Sequence, residues 1–257
     1  MVVIDEVQKV PALLDEVHWL YEHSDTKFAL CGSSARKVRR GHANLLGGRA
    51  LRHELFGLTS AELASDFDLD RVLTHGTLPR IYASERPERM LRAYTGDYLK
   101  EEIAAEGLVR NLPSFSSFLD VAALSDAELV NFSTIARECG VSSPTIKSYF
   151  EILVDTLIGT WLPAYVRRPK RRVIQSPKFY FFDAGVFQAI RPKGPLDAAE
   201  EIHGPALETL LLEQVRAVND YRSLGYSLHY WRTAAGEEVD FVLYGERGLL
   251  AFEVKMR

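Results

Sequence analysis

The apolar positions change period along the chain. Met1 to Ile4 is an unbroken apolar run that meets acid at Asp5 and Glu6. Such a run predicts a short strand buried on both faces. From Pro11 to Glu22 the period becomes helical, with Leu13, Leu14, Val17 and Leu20 on one stripe and Pro11 near the first turn. Lys27 to Cys31 predicts a second buried strand, closed by Gly32-Ser33-Ser34. Strand, helix, strand is an α/β pattern. Gly41 to Gly48 reads as loop, and Ala50 to Leu58 carries the chain out of this core. Ser60 to Leu162 is mainly helical in period, including a stretch from Met90 to Glu106. Pro163 to Arg172 breaks it. Lys178 to Phe182 is an aromatic strand and Leu207 to Asn219 a helix. Ser227 to Trp231, Glu238 to Tyr244 and Leu249 to Lys255 then predict three strands joined by glycine turns. The expected divisions are residues 1–60, 61–165 and 166–257.

Composition narrows the classes. With 257 residues, 47 % of them hydrophobic, the chain can bury one large core or two to three small ones. Its net charge of −4 excludes nucleic-acid binding by bulk electrostatics, so any DNA contact has to come from a local patch. The two cysteines, Cys31 and Cys139, sit in apolar surroundings and are expected to be buried, reduced thiols of a cytoplasmic protein. No apolar run approaches the roughly 18 residues of a membrane helix. The acids at positions 5 and 6 do not suit a signal peptide.

Three stretches carry candidate chemistry. In Val2-Val3-Ile4-Asp5-Glu6 a hydrophobic strand delivers two acids to its end. That is the form of a Walker B site, where the Asp holds magnesium through water and the Glu polarises the attacking water. Ser33 or Ser34 would sense the γ-phosphate, and Arg49 would supply a cation to it. Solvated acids at a strand end are the plain alternative.

Phe132 to Ile146 has a helix-turn-helix pattern. Ala136 is small where two helices cross, Gly140 turns the chain, Ser143 caps the second helix and Pro144 opens it. Ile146, Tyr149, Phe150 and Leu153 form its buried stripe. The outer face offers Thr145, Lys147, Ser148 and Glu151, which fits a packing hairpin as well as a DNA reader. The neighbouring Arg167, Arg168, Lys170, Arg171 and Arg172 are candidate phosphate contacts or solvated surface.

At the C-terminal end, Glu253-Val254-Lys255 places Glu253 and Lys255 on one face of a strand. Asp240 lies on the preceding strand and Glu208 on the helix before it. Helix Glu, strand Asp, strand Glu-x-Lys is the layout of a PD-(D/E)xK nuclease. In it, carboxylates (Asp240 and Glu253 here) hold magnesium and the lysine steadies the attacking water or the phosphorane. Asp183, in Phe182-Asp183-Ala184-Gly185, reads as a turn or cap residue.

Taken in order, Val3 to Pro11, Cys31-Gly32-Ser33-Ser34 and Leu45-Leu46-Gly47-Gly48-Arg49 resemble the prokaryotic AAA-type ATPases that carry a C-terminal DUF4143 domain. Lys178 to Val186, Gly204-Pro205-Ala206-Leu207-Glu208, Glu238-Val239-Asp240-Phe241 and Phe252-Glu253-Val254-Lys255 match the same family. The resemblance implies a partial P-loop ATPase core, a helical winged-helix segment and a restriction-endonuclease-like α/β domain. It also implies ATP and magnesium as cofactors, DNA as a partner and a ring-like homo-oligomer. Under it Asp5 is the magnesium-linked acid and Glu6 the catalytic one. The family's Gly-x-x-x-x-Gly-Lys-[Ser/Thr] loop has no counterpart, because no Gly-Lys-Ser or Gly-Lys-Thr occurs in the sequence. The expectation is a truncated or decayed relative with no appreciable ATP binding, whose nuclease-like sheet also stops early. A non-enzymatic regulatory module that reuses these folds is the rival reading. An apolar patch over the C-terminal sheet would favour it, and a basic concave surface near Lys255 would favour the nuclease.

Overall fold

Two parallel strands, β1 (Val2–Ile4) and β2 (Phe28–Leu30), are joined by helix α1 (Leu13–His23). The computed structural model describes residues 1–10, 12–32, 50, 51, 53–98, 103, 109, 111–166, 176–195, 197–233 and 235–256. The connection is the strand–helix–strand unit that the hydrophobic pattern predicts. The expected full burial of β1 does not hold: Val3 is 60 % exposed and Val2 43 %. Only Val17 of α1 is buried, and among the described residues the sheet has two strands. Cys31 is exposed and Cys139 half-buried, which corrects the expectation of two buried thiols.

The middle of the chain is helical, as its period predicts. Helices α2 (Ser60–Leu63), α3 (Leu69–His75), α4 (Pro79–Tyr82) and α5 (Pro87–Ala93) are followed by a π-helical turn at Tyr94–Tyr98. Helices α6 (Leu112–Leu124), α7 (Phe132–Glu138) and α8 (Ser143–Asp155) follow. Thr59 and Glu62 form a capping box on α2, and Asp68, Asn111, Asn131 and Ser142 cap α3, α6, α7 and α8 with their side chains. The cap of α8 is therefore Ser142, one residue before the expected Ser143, with Pro144 still in the first turn. Gly140 turns α7 into α8 at φ +63°, and Ala136 is buried where the helices meet.

Strand β3 (Gly159–Leu162) pairs antiparallel with β4 (Lys178–Phe181). Alternation along β4 splits its side chains between two cores. Phe179 and Phe181 join Phe115, Phe118 and Phe150 in the core of the helical middle. Tyr180 joins Leu162, Leu212, Tyr230 and Phe241 in a second core beneath the C-terminal sheet. The basic residues 167, 168 and 170–172 lie outside the described residues.

After β4, Asp183 caps α9 (Ala184–Ile190) by accepting from the Val186 N–H at 3.0 Å. Its other oxygen accepts from the Thr77 N–H at 2.6 Å and the Thr77 hydroxyl at 3.1 Å, tying α9 to the end of α3. A methyl group on Gly76 would strike the Asp183 carboxylate, and one on Gly185 would strike the His75 backbone, so only glycine permits this approach. Asp183 is thus a cap, as its sequence context predicts. Helix α10 (Ala199–Tyr221) is longer than the predicted Leu207–Asn219, and it backs a meander of β5 (Ser227–Arg232), β6 (Glu238–Gly245) and β7 (Gly248–Phe252). The chain leaving the N-terminal unit is strapped along α10. Glu54 pairs with Arg216 at 3.2 Å, Phe56 stacks edge-on to Tyr221, and the Ser60 N–H donates to Gln214 at 2.7 Å.

Candidate functional site

β1 delivers Asp5 and Glu6 to the end of the parallel pair, where the Cys31 N–H binds the Ile4 carbonyl and the Val7 N–H binds the Cys31 carbonyl. Asp5 is exposed and accepts from the Glu6 N–H at 2.9 Å. Glu6 sits at φ 52° and pairs with Lys9 at 3.5 Å. Ser33, Ser34 and Arg49, the other residues expected at this site, lie outside the described residues. Two acids next to a strand end suit a hydrated magnesium ion. A nucleotide also needs a cradle of backbone N–H groups and a lysine, and no Gly-Lys-Ser or Gly-Lys-Thr in the sequence provides one.

The C-terminal acids converge only in part. Glu208 projects from α10 and accepts from the Tyr180 hydroxyl at 3.0 Å. Lys178, on β4, lies 3.5 Å from Glu208 and 2.5 Å from Glu238 and is almost fully buried. Its ammonium also rests 5.9 Å from the Tyr230 ring centre. Arg232 closes on the other oxygen of Glu238 at 3.3 Å. Asp240 stands next to this cluster and accepts from the Val254 N–H at 2.8 Å. Burial pushes the carboxyls of Glu208 and Asp240 upward, and Lys178 pulls both the other way. The pairing of Phe241 with Phe252 sets Asp240 opposite Glu253, so these two share one face. Glu253 and Lys255 lie just beyond the end of β7, and Lys255 is 70 % exposed with its ammonium 3.5 Å from Glu253.

The structure thus brings Glu208 and Asp240 to one place and Asp240 and Glu253 to one face, and leaves Lys255 at the surface. It adds Lys178, Tyr180 and Glu238, which spacing alone had missed. Their signal was present: Lys178 opens an aromatic run that is buried throughout, and a lysine there must find acids. Among the described residues no three His, Cys, Asp or Glu side chains are placed to hold a metal ion. A lysine ammonium neutralises the helix acid Glu208, which leaves Asp240 and Glu253 as the carboxylates of the expected magnesium pair.

Beside the cluster, Asp126 is fully buried at the end of α6. It accepts from the Phe181 N–H at 2.8 Å and from the Thr209 hydroxyl at 2.5 Å. Burial pushes its carboxyl up to about 8. A separate cleft of about 440 Å³ opens between the strap, β3 and α10, lined by Phe56, Trp161, Leu212 and Arg216. Arg216 is already paired there, with Glu54 at 3.2 Å and Glu213 at 2.9 Å.

Comparison with known families divides the chain into three matched stretches. Residues 1–64 match the family described as AAA domain, and residues 203–257 match the family described as Domain of unknown function (DUF4143). The protein is of the AAA-type ATPase class with a C-terminal DUF4143 domain. Between these, residues 66–197 match Domain of unknown function (DUF8612), and since that match spans more than half of the chain, the chain belongs to this family. Neither the curated proteins nor the solved structures contain a match to the chain. Among the described residues no helix is long and apolar enough to cross a membrane.

Proposed function

We propose that the DUF4143 sheet of this AAA-type protein is a partner-binding module with a nuclease-like layout in which Lys178 takes the place of a metal ion. The carrying observation is the buried Lys178 ammonium between Glu208 and Glu238, next to Asp240. A charge already compensated by a lysine gains little from a divalent ion and would repel it. The surface supports the same reading. Tyr244 and Leu249 are exposed on one face of the C-terminal sheet and Leu250 and Phe252 on the other, and the acid Glu253 accompanies Lys255.

In the middle, the order α6, α7, α8, β3, β4 supports a winged-helix reading. Lys147 of its second helix lies 5.3 Å from the Phe132 ring centre, so the basic side chain on that face is engaged within the hairpin. This favours the hairpin as a packing element over a reader of DNA.

Metal-dependent cutting of nucleic acid remains the second reading, favoured by Asp240 and Glu253 standing opposite each other. Plasmid incubated with magnesium or manganese separates the two. The module reading expects no nicking by the wild type or by Asp240→Ala. Metal-dependent nicking by the wild type that Asp240→Ala abolishes establishes the nuclease.

A further inference from the structure

Positive charge concentrates in two stretches of the chain. Arg167 to Arg172 lies outside the described residues. The other stretch, residues 71–93, is described in full. It holds five arginines (Arg71, Arg80, Arg86, Arg89 and Arg92), no lysine and two acids, Glu85 and Glu88. Five cations against two anions leave +3 with His75 neutral, in a chain whose net charge is −4.

The fold turns four of these arginines outward. Leu91 of α5 is buried with Ile81 of α4 and Val186 of α9, and Met90 and Tyr94 pack beside them. With 3.6 residues per turn, Arg89 and Arg92 fall on the sides of α5 turned away from that core. Both are exposed, as are Arg86, just before α5, and Arg80 on α4, which packs against α5. Among the described residues none of these four guanidinium groups has a hydrogen bond or an ion pair. The fifth, Arg71, holds the turn between the two helices. Its Nε donates to the Tyr82 carbonyl at 3.1 Å and its Nη2 to the Ser84 carbonyl at 2.9 Å, with the guanidinium 5.2 Å from the Tyr82 ring centre. Glu88 leans to the side of the patch, 4.0 Å from His75.

The surroundings select the partner. Among the described residues from 70 to 98 no large apolar side chain is exposed. A protein partner needs apolar anchors at the centre of its contact, and a lipid surface needs apolar side chains to insert beside the cations. A phosphate backbone needs only spaced cations, and the guanidinium fork meets phosphate oxygens in pairs. We propose that Arg80, Arg86, Arg89 and Arg92 form a docking surface for the phosphate backbone of a nucleic acid, bound without regard to sequence. This surface is separate from the C-terminal sheet and from the α7–α8 hairpin.

Fluorescence anisotropy of the full chain with a short labelled DNA duplex of mixed sequence tests it. Four phosphate contacts give a slope of about −3.6 in log affinity against log salt, a loss of about a hundredfold between roughly 50 and 200 mM salt. Arg89→Ala/Arg92→Ala brings the slope to about −1.8 and weakens binding at the lower salt by about tenfold. Its melting temperature stays that of the wild type, because both side chains are exposed. A second duplex of unrelated sequence binds equally well, and Lys147→Ala, on the hairpin, changes neither slope nor affinity. A wild type that does not bind the duplex at the lower salt overturns the proposal. So does a folded double variant with the wild-type slope, which places the contact elsewhere, or tighter binding to phosphatidylserine vesicles than to the duplex.

Discussion

Asp126 shows what burial does to a single side chain. Its oxygens are held by Phe181 and Thr209, Glu208 lies near enough to oppose its ionisation, and among the described residues no cation pairs with it. The folded carboxyl is raised to about 8, above its ordinary value of 3.8. The sign follows from linkage: the stability this group supports is complete below the unfolded value and is lost as pH rises through the folded one. Glu208, Glu213 and Asp183 are raised too, also by burial, and act in the same direction. The wild type is therefore expected to lose urea resistance between pH 5 and pH 8. Asp126→Asn keeps the acceptor for the Phe181 N–H and cannot ionise. Its unfolding free energy from urea titrations should fall less over that range, by up to about 1.4 kcal/mol per pH unit, and at pH 8 should equal or exceed that of the wild type. A variant with the unchanged pH slope contradicts the assignment. In the sequence Asp126 sits in Leu-Ser-Asp-Ala-Glu, within the stretch whose period is mainly helical, and nothing there marks it as buried. Only the fold closes β4 and α10 over it.

Among the elements, the helical period was legible and the caps only in part: Asp183 caps α9 as read, whereas Ser142 and not Ser143 caps α8. The stripe of Ile146, Tyr149, Phe150 and Leu153 is buried as spaced, and Asn131 and Ser142 hold the helix starts. Gly140 is the residue on which the α7–α8 turn depends. Its φ of +63° strains any side chain, although a Cβ there would meet nothing within 4 Å. Gly140→Ala should therefore cost about 1 kcal/mol, and Gly140→Asn less, read as shifts in the denaturation midpoint. Equal stability of the alanine variant would show that the turn can relax. The strands were legible as strands, and their exposure was not. β1 read as a buried run and β4 as an aromatic strand, yet β4 is enclosed by two cores and β1 is partly open. A run of apolar residues states a preference for cover, and the neighbouring layers decide whether cover is present. Glu253 and Lys255 show the same limit, since their shared face was predictable and their place beyond the end of β7 was not.

For the whole molecule, the first expectation concerns nucleotide. Asp5 and Glu6 are near the strand end where a Walker B pair belongs, but the sequence has no Gly-Lys-Ser or Gly-Lys-Thr to wrap phosphate. Titration calorimetry of this chain with magnesium and ATP should show no binding, and micromolar affinity would require a different phosphate cradle. The ordered motifs at both ends identified the AAA and DUF4143 segments, because those motifs are local in sequence. The DUF8612 middle offered a helical period and a turn and no comparable signature. What the sequence determined by itself was local: the α/β start and the helix stripes, set by backbone periods of 3.6 and 2. What only the tertiary structure decided was which charges meet. Lys178 lies 30 residues before Glu208 and 60 before Glu238, and packing β4 against α10 and β6 excludes water and leaves their mutual attraction as the means of balancing those charges.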